Sequence, residues 1–393
     1  WEPHFLAERD YLMNVDPSHP LGQAVCRSIT QGTENREEAV GRVVTFVHDQ
    51  IEPGEGWGAA GPAMLYAERG HQTRVARYLL NECGIDTEIA VVRGIHDELP
   101  GELAGGSIYD TAVLVVGRES GDPLIVSVGN RDADWRWIPS GIRGQEGIVL
   151  AEGFPRITVP DPGPRADLRH YAVDVQLGQG GAATVQVEER HAGAPASVWR
   201  RTFREVPAAE LDRLLGENYI GRLFPGAQVR ELNIPNPGAR GEALVMEYTA
   251  EVPGFGRPAG NVVLLPNVFA ADLAQGLAQL PSRDTTLGVA SRALEVVTTV
   301  RGITAPEETV RALPAIELQG QDGARYSRTA RVENGALVLV RKLIVPETNV
   351  TPEAYAAFAD FCRAVSAAEV PEVPVLPANT RRAAAETPAL AAR

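Results

Sequence analysis

The sequence predicts an α+β fold in which helices pack on an antiparallel sheet and a mainly β, sandwich-like region follows. Three observations lead to this fold class. Apolar residues recur at helical spacing over residues 75–83, which indicates a helix with one buried face. The next run, residues 87–93, is rich in β-branched residues and is typical of a strand. Beyond residue 165 the apolar period changes from helical to alternating, as in strands.

The first helices can be placed from caps and breakers. Thr33 is the expected N-cap of a helix that continues to Ile51, because acidic residues follow it and apolar residues keep helical spacing. Pro62 at a first helical position predicts a short helix leading to the turn at Gly70. A central helix is then expected from Gln72 to a C-terminal glycine, Gly84.

Three strands are predicted after this central helix, at residues 87–93, 109–116 and 123–130. Short turns between strands favour antiparallel pairing, so we expect one antiparallel sheet. The segment Gly94–Ser107 is rich in glycine and acidic residues, which predicts a mobile loop. Such a loop could cover a cleft, or it could be an insertion without a role.

The linker Pro160–Pro164 is stiff and non-helical, and it marks the predicted end of a first domain at residues 1–160. We expect a β domain at residues 165–255 and a second β domain with a closing helix at residues 256–368. The proline- and alanine-rich residues 369–393 are predicted to be disordered.

Alternation within the β region predicts a hairpin, further strands and two helices. The hairpin covers residues 171–177 and 183–189, the helices cover 208–218 and 351–365, and the strands cover 228–234, 242–251, 261–265, 292–300, 329–332 and 335–343. The helix at 351–365 is expected to bury one face, formed by Tyr355, Phe358, Ala359 and Cys362.

Charge and hydropathy exclude some classes of partner. The formal net charge of −14 argues against nucleic acid or an anionic membrane surface, since both favour basic proteins. No apolar run approaches the ~20 residues that a membrane-spanning helix needs. The chain begins at Trp1 without an initiator methionine or a signal peptide, so we expect a processed or excised piece. Its oligomeric state cannot be inferred from these features.

The three cysteines, Cys26, Cys83 and Cys362, lie far apart in the sequence and form no Cys-x-x-Cys pair. We therefore predict neither a thiolate zinc site nor a disulfide framework, and expect each thiol to be buried among apolar residues. The histidines form no His-x-x-x-His pair. No metal and no cofactor is predicted.

The turn Gly70-His71-Gln72, the helix after it and the strand that follows resemble the core of the transglutaminase-like (papain-like) superfamily. The segments 109–116, 137–144 and 351–358 follow in the order found in multidomain bacterial members with flanking β domains of unknown function. In active members of that superfamily a cysteine opens the central helix, where the helix dipole stabilises its thiolate. A histidine and an aspartate on the next two strands complete a triad.

The resemblance places Gln72 at the cysteine position, Thr111 at the histidine position and Ser127 at the aspartate position. A shift of the last assignment would admit Asn130 instead. All three catalytic positions are thus expected to be substituted. The resemblance therefore implies a degenerate triad, since an amide is not a nucleophile.

The side chains predicted to contact a ligand are His71, Gln72, Arg74 and Asp110. The function expected is that of a catalytically inactive, transglutaminase-like binding or scaffold module for a protein or peptide partner. The alternative is a hydrolase or acyl-transferase of the protease or amidase type that uses unusual cleft residues such as His71 and Asp110. A third possibility is a structural β module for assembly. The resemblance also implies a periplasmic or envelope-associated location.

Overall fold

The computed structural model describes residues 5–7, 9–10, 16–54, 58–95, 109–118 and 121–378. The fold is α+β, as predicted. Most of the glycine-rich loop predicted at Gly94–Ser107 and the last part of the predicted tail lie outside the described residues.

The part before residue 160 contains the predicted central helix and strands, with bounds close to those expected. Its helices are α1 (Pro20–Thr30), α2 (Arg36–Gln50), α3 (Gly61–Ala67) and α4 (Gln72–Glu82). Its strands are β1 (Glu52–Pro53), β2 (Arg69–Gly70), β3 (Thr87–Arg93), β4 (Tyr109–Val116), β5 (Leu124–Val126), β6 (Glu146–Val149) and β7 (Arg156–Thr158).

Strands β3 to β7 form a five-stranded sheet in the order β5-β4-β3-β6-β7. All of its pairs are antiparallel, which confirms the predicted pairing. Helices α2 and α4 pack on one face through a core that includes Val43, Val47, Leu79 and Leu80, all fully buried. This burial, rather than helix propensity, supplies most of the stability of such helices.

The N-cap of α2 differs from the prediction. Asn35 is the cap, and its side-chain oxygen accepts a hydrogen bond from the backbone N–H of Glu38 at 2.9 Å. Thr33 instead donates its hydroxyl to the carbonyl of Thr30 at 2.9 Å, where α1 ends. Threonine and asparagine are both favourable N-cap residues, so the sequence alone does not show at which of the two positions the helix begins.

Beyond residue 160 the chain is mainly β. Its strands are β8 (Leu168–Leu177), β9 (Ala183–His191), β10 (Gln228–Asn233), β11 (Leu244–Val252), β12 (Arg257–Ala259), β13 (Val262–Leu265), β14 (Leu287–Val289), β15 (Arg292–Arg301), β16 (Ile303–Thr304), β17 (Ile316–Gln319), β18 (Arg325–Glu333), β19 (Ala336–Val345), β20 (Thr348–Val350) and β21 (Val373–Pro377). Its helices are α5 (Gly193–Glu205), α6 (Ala208–Arg213) with a π-helical continuation (Leu214–Ile220), α7 (Gly221–Leu223), α8 (Leu273–Leu277), α9 (Pro306–Ala312) and α10 (Pro352–Glu369).

Strands from both predicted β domains form one eight-stranded sheet in the order β10-β11-β9-β8-β15-β19-β18-β17. The parallel pair β8–β15 joins the two segments. The predicted hairpin is present as β8 and β9. The domain boundaries themselves stay predictions, but the two segments are continuous through backbone hydrogen bonds.

The predicted closing helix is present as α10, and its expected inward residues are all buried. The prediction of disorder from residue 369 onward is wrong for residues 373–377. These form β21, which pairs with β13 and β16 and buries Val373 and Val375. The strand forms because valines at alternate positions put their side chains on one buried face. Disorder was predicted because the segment as a whole is rich in proline and alanine.

The prediction of three separate thiols is also wrong. Cys26 on α1 and Cys83, just after α4, form a disulfide with a Cα–Cα distance of 5.5 Å. The two residues are 57 positions apart, so their pairing depends on the packing of α1 against α4 and not on a sequence motif. Cys362 is free and buried, as predicted.

Buried polar contacts attach the first sheet to the β region. The guanidinium of Arg143 donates to Asp167 at 2.6 Å and to the hydroxyl of Ser291 at 2.9 Å. Asp132 accepts two hydrogen bonds from Arg204 of α5, at 3.1 and 2.8 Å. Among the described residues no helix has the length and apolar character needed to cross a membrane.

Candidate functional site

The central turn packs tightly before α4 begins. A Cβ atom at Gly70 would lie 2.6 Å from Cγ and Sδ of Met64, which is closer than real contacts allow. Glycine therefore lets the chain pass α3 and present His71 and Gln72 at the start of α4.

Gln72 does not project into a cleft. Its side chain is buried, and Nε2 donates to the carbonyl oxygen of Ile51 at 2.8 Å and, more weakly, to that of Val47 at 3.4 Å. Ile51 is the residue that follows α2, and the Val47 carbonyl also accepts from the backbone N–H of Ile51 at 3.0 Å. The Gln72 amide therefore supplies a donor to the Ile51 carbonyl, which lies beyond the last turn of the helix. Gln72 thus joins the N-terminus of α4 to the C-terminus of α2.

Arg74 is likewise used inside the fold. It is 2 % exposed, and it donates to the carbonyl of Ala59 at 2.9 Å and to Asp16 at 3.1 Å. Asp16 also accepts from the backbone N–H of Gly61 at 2.9 Å, at the start of α3. Arg74 therefore links α4 to the segment before α1 and to α3, which is a structural role.

His71 and Asp110 are the more accessible of the predicted ligand contacts. His71 is half-buried, and burial lowers the pKa of its imidazole below the usual value, which favours the neutral ring at neutral pH. Asp110 is exposed and accepts a hydrogen bond from the hydroxyl of Thr111 at 2.9 Å.

Strand alternation places Thr111 and Ser127 away from α4. Thr111 pairs with Val92, which packs in the cluster on the sheet face opposite α4. Ser127 lies between Val126 and Val128, which both pack in the cluster around α4. Because neighbouring side chains alternate between faces, Thr111 and Ser127 point to the face that α4 does not cover. The three predicted triad positions are not brought together.

No cysteine of the chain stands at the start of α4. Cys26 and Cys83 are joined, and Cys83 lies at the far end of that helix. Burial raises the pKa of the Cys362 thiol to about 11. Such a thiol is protonated at neutral pH and is a poor nucleophile.

A groove of about 1170 Å³ lies between α2 and the β5 edge of the first sheet. We call it the α2 groove. Its walls carry charges of both signs, and its apolar parts include Val40, Phe46 and Trp135. It is lined by Ile29, 34–38, 40–42, Thr45, Phe46, Asp49, Gln50, 116–118, Leu124, Trp135 and Arg136.

Trp135 lies directly on α2 in this groove. A Cβ atom at Gly41 would be 2.6 Å from the indole nitrogen of Trp135, so only glycine leaves room for the ring. The guanidinium of Arg136 stands 4.3 Å from the centroid of the same ring, a cation–π contact. Sequence reasoning missed these residues. The run Trp135-Arg136-Trp137, with two of the five tryptophans, was the signal that could have indicated them.

The electrostatics of the groove are balanced. Arg42 pairs with Glu38 at 2.6 Å, and Arg118 pairs with Glu37 at 3.0 Å. Arg36 donates to the carbonyl of Gly117 at 2.9 Å, which joins α2 to the end of β4. The described residues contain no group of three or more His, Cys, Asp or Glu side chains placed to hold a metal ion.

The fold is similar to that of a solved structure. A crystal structure of a "putative protease" from Parabacteroides distasonis ATCC 8503 superposes with a TM-score of 0.52 at 12% sequence identity. The match covers 94% of this chain and 58% of that chain, so this chain spans little more than half of that protein. No family model and no curated protein matches. The similarity concerns the fold alone: nearly the whole chain shares its α+β architecture with that protein.

Proposed function

We propose that this protein is a catalytically inactive, transglutaminase-like binding module that holds a protein or peptide partner. The observation that carries the proposal is the side chain of Gln72, which is buried and hydrogen-bonded to Ile51 and Val47 at the position where a nucleophile is expected. A residue so used contributes to folding rather than to chemistry.

The other two triad positions support the same conclusion. Thr111 cannot act as a general base, and it points away from α4 with Ser127. Loss of a nucleophile and its base leaves only the ~10³–10⁴-fold acceleration that binding and oxyanion stabilisation supply. A site without a nucleophile or a general base is more consistent with a binding function than with catalysis.

The α2 groove is the proposed binding site. Its volume of about 1170 Å³ exceeds the ~300–1,000 Å³ typical of small-molecule pockets, so it suits a peptide segment. Tryptophan and arginine are enriched where proteins bind one another, and Trp135 with Arg136 provides both. The Cys26–Cys83 disulfide agrees with an oxidising compartment, such as the periplasm that the family resemblance implies.

The test is selection of binding peptides from a displayed random library, followed by affinity measurements on variants. We expect Arg136→Glu to weaken binding of the selected peptides at least about tenfold, since a central interface arginine contributes ~2 kcal/mol or more. Arg156→Glu is the matched control, because the Arg156 side chain is 74% exposed and does not line the groove, and the change in net charge is the same. Equal affinity for Arg136→Glu and wild type would contradict the proposed site.

A further inference from the structure

A second concave site lies in the β region, far along the chain from the α2 groove. It is a pocket of about 240 Å³ at one end of the paired strands β8 and β15, closed by the segment before α8. Two arginines line it, Arg169 of β8 and Arg292 of β15. We call it the arginine pocket.

The two arginines stand on the same face of the sheet. Leu294 is the register partner of Arg169, and Arg292 is two residues before Leu294 on the same strand. Side chains two positions apart on a strand share a face, so the two guanidinium groups enter the pocket from adjacent strands.

Among the described residues, neither arginine forms a direct ion pair. Within the described ranges, no carboxylate lies within ion-pair distance of Arg169 or Arg292, although most other arginines of this acidic chain form such pairs. Burial lowers the pKa of Arg292, and the positive charge of Arg169 lowers it further. An arginine remains charged at neutral pH even so, and two neighbouring guanidinium groups without a direct ion-pair partner attract an anion.

The far wall of the pocket is aromatic and strained. Phe269 adopts a φ of 55°, a left-handed backbone conformation that bulky residues rarely occupy. Its ring stacks on Tyr171 with centroids 3.9 Å apart and an interplanar angle of 17°. Strained backbone of this kind is concentrated at ligand sites, where the surrounding structure holds it in place.

Asp272 limits the charge that the pocket can accept. It also lines the pocket, and its Oδ1 accepts from the backbone N–H of Gln275 at 3.1 Å and from the hydroxyl of Ser366 at 3.0 Å. A fixed carboxylate in the wall repels a second negative charge. The pocket therefore suits one anionic group better than a phosphate dianion.

We propose that the arginine pocket binds a small organic monocarboxylate, with the carboxylate on Arg169 and Arg292 and the apolar part against Phe269, Tyr171 and Leu294. The guanidinium fork matches a carboxylate through two parallel hydrogen bonds. The pocket volume of about 240 Å³ accommodates a small organic acid such as benzoate.

The test is a calorimetric or NMR titration with benzoate, beside benzamide as a neutral probe of the same size and inorganic phosphate as an anion without an apolar part. We expect saturable binding of benzoate, weaker binding of phosphate and none of benzamide. Arg292→Gln and Arg169→Gln should each weaken benzoate binding by about tenfold or more, because each removes a charge-assisted hydrogen bond. Added salt should weaken binding in the wild type.

Arg301→Gln is the matched control. Arg301 ends the strand that Arg292 begins, is 55% exposed and pairs with Asp174 at 2.7 Å, so its loss changes the net charge equally without touching the pocket. Three results would overturn the proposal: no saturable benzoate signal up to tens of millimolar, phosphate binding more tightly than benzoate, or an equal loss in Arg301→Gln. If Arg292→Gln does not fold, benzoate binding by Arg169→Gln, which changes an exposed side chain, provides the test.

Discussion

Gln72 donates its side-chain amide to the main-chain carbonyl oxygen of Ile51 at 2.8 Å, and this hydrogen bond joins the start of α4 to the end of α2. The first residue of the central helix therefore belongs to the core of the first sheet and not to an open cleft.

Removal of the Gln72 amide should destabilise the fold. Gln72→Ala leaves the buried Ile51 carbonyl without a donor, which costs about 1–3 kcal/mol. The free energy of unfolding in urea measures this. Gln50→Ala is the control, since Gln50 is exposed one residue before Ile51, and its change should stay within about 0.5 kcal/mol. Equal losses in both variants would show that the Gln72 hydrogen bond contributes nothing.

The contact between the first sheet and the β region should depend on Arg143. This side chain is 2% exposed and donates to Asp167 at 2.6 Å, so Arg143→Met leaves a buried carboxylate without its cation. We expect a loss of about 3–5 kcal/mol in chemical denaturation. Arg156→Met breaks an exposed pair with Glu146 and should cost at most about 1 kcal/mol. An Arg143 variant as stable as the Arg156 variant would contradict this role.

Glu347 should make stability depend on pH. Both its carboxylate oxygens are shielded from solvent, and burial raises the pKa of Glu347 from 4.5 to about 8, against the opposing effect of Arg143. Asp161 and Asp167 add to the increase. Because the folded-state pKa is above the unfolded one, the contribution of this group is fully present below pH 4.5 and is lost as the pH rises to about 8.

Glu347→Gln should therefore stabilise the protein at pH 8 relative to wild type by about 1 kcal/mol or more, after allowance for solvent screening, and flatten the decline over that range. Thermal denaturation from pH 4 to 9 measures it, with Glu333→Gln as an exposed control. The predicted direction would be contradicted if the wild type became more stable between pH 5 and 8 and Glu347→Gln removed that increase.

The Cys26–Cys83 disulfide should stabilise the fold by restricting the unfolded chain. For a loop of 57 residues the chain-entropy model gives about 4 kcal/mol. We expect Cys26→Ala/Cys83→Ala to lose a stability of this order, and a reducing agent to affect wild type but not that variant. Before reduction, iodoacetamide should label the folded protein slowly, because the remaining thiol, Cys362, is buried. Rapid labelling of one or more thiols would refute the pairing or the burial.

Local patterns predicted the elements well. Apolar spacing located α4, and β-branched runs located β3, β4 and the long strands of the β region, because helix and strand periods are properties of adjacent residues. The disulfide, the cap at Asn35 and the strand β21 escaped prediction. The disulfide and β21 form only because segments far away in the sequence pack beside them, and the cap depends on the exact residue at which the helix begins.

The site was harder to predict for the same reason. The sequence identified Gln72 as unusual, but its partner Ile51 is 21 residues away, just after another helix. Thr111 and Ser127 were assigned by order along the chain, whereas the face on which a side chain emerges depends on register. The arginine pocket is formed by strands more than a hundred residues apart in sequence.

Turnover by the intact protein tests the central claim most directly. We expect no peptidase, amidase or transglutaminase activity in the wild type and none in Gln72→Cys, since the helix dipole supplies at most ~2 kcal/mol and no base is near. Gln72→Cys/Thr111→His/Ser127→Asp should also be inactive, because strand alternation points residues 111 and 127 away from α4. Wild-type turnover that is abolished by His71→Ala or Asp110→Ala would contradict the account and establish the hydrolase alternative.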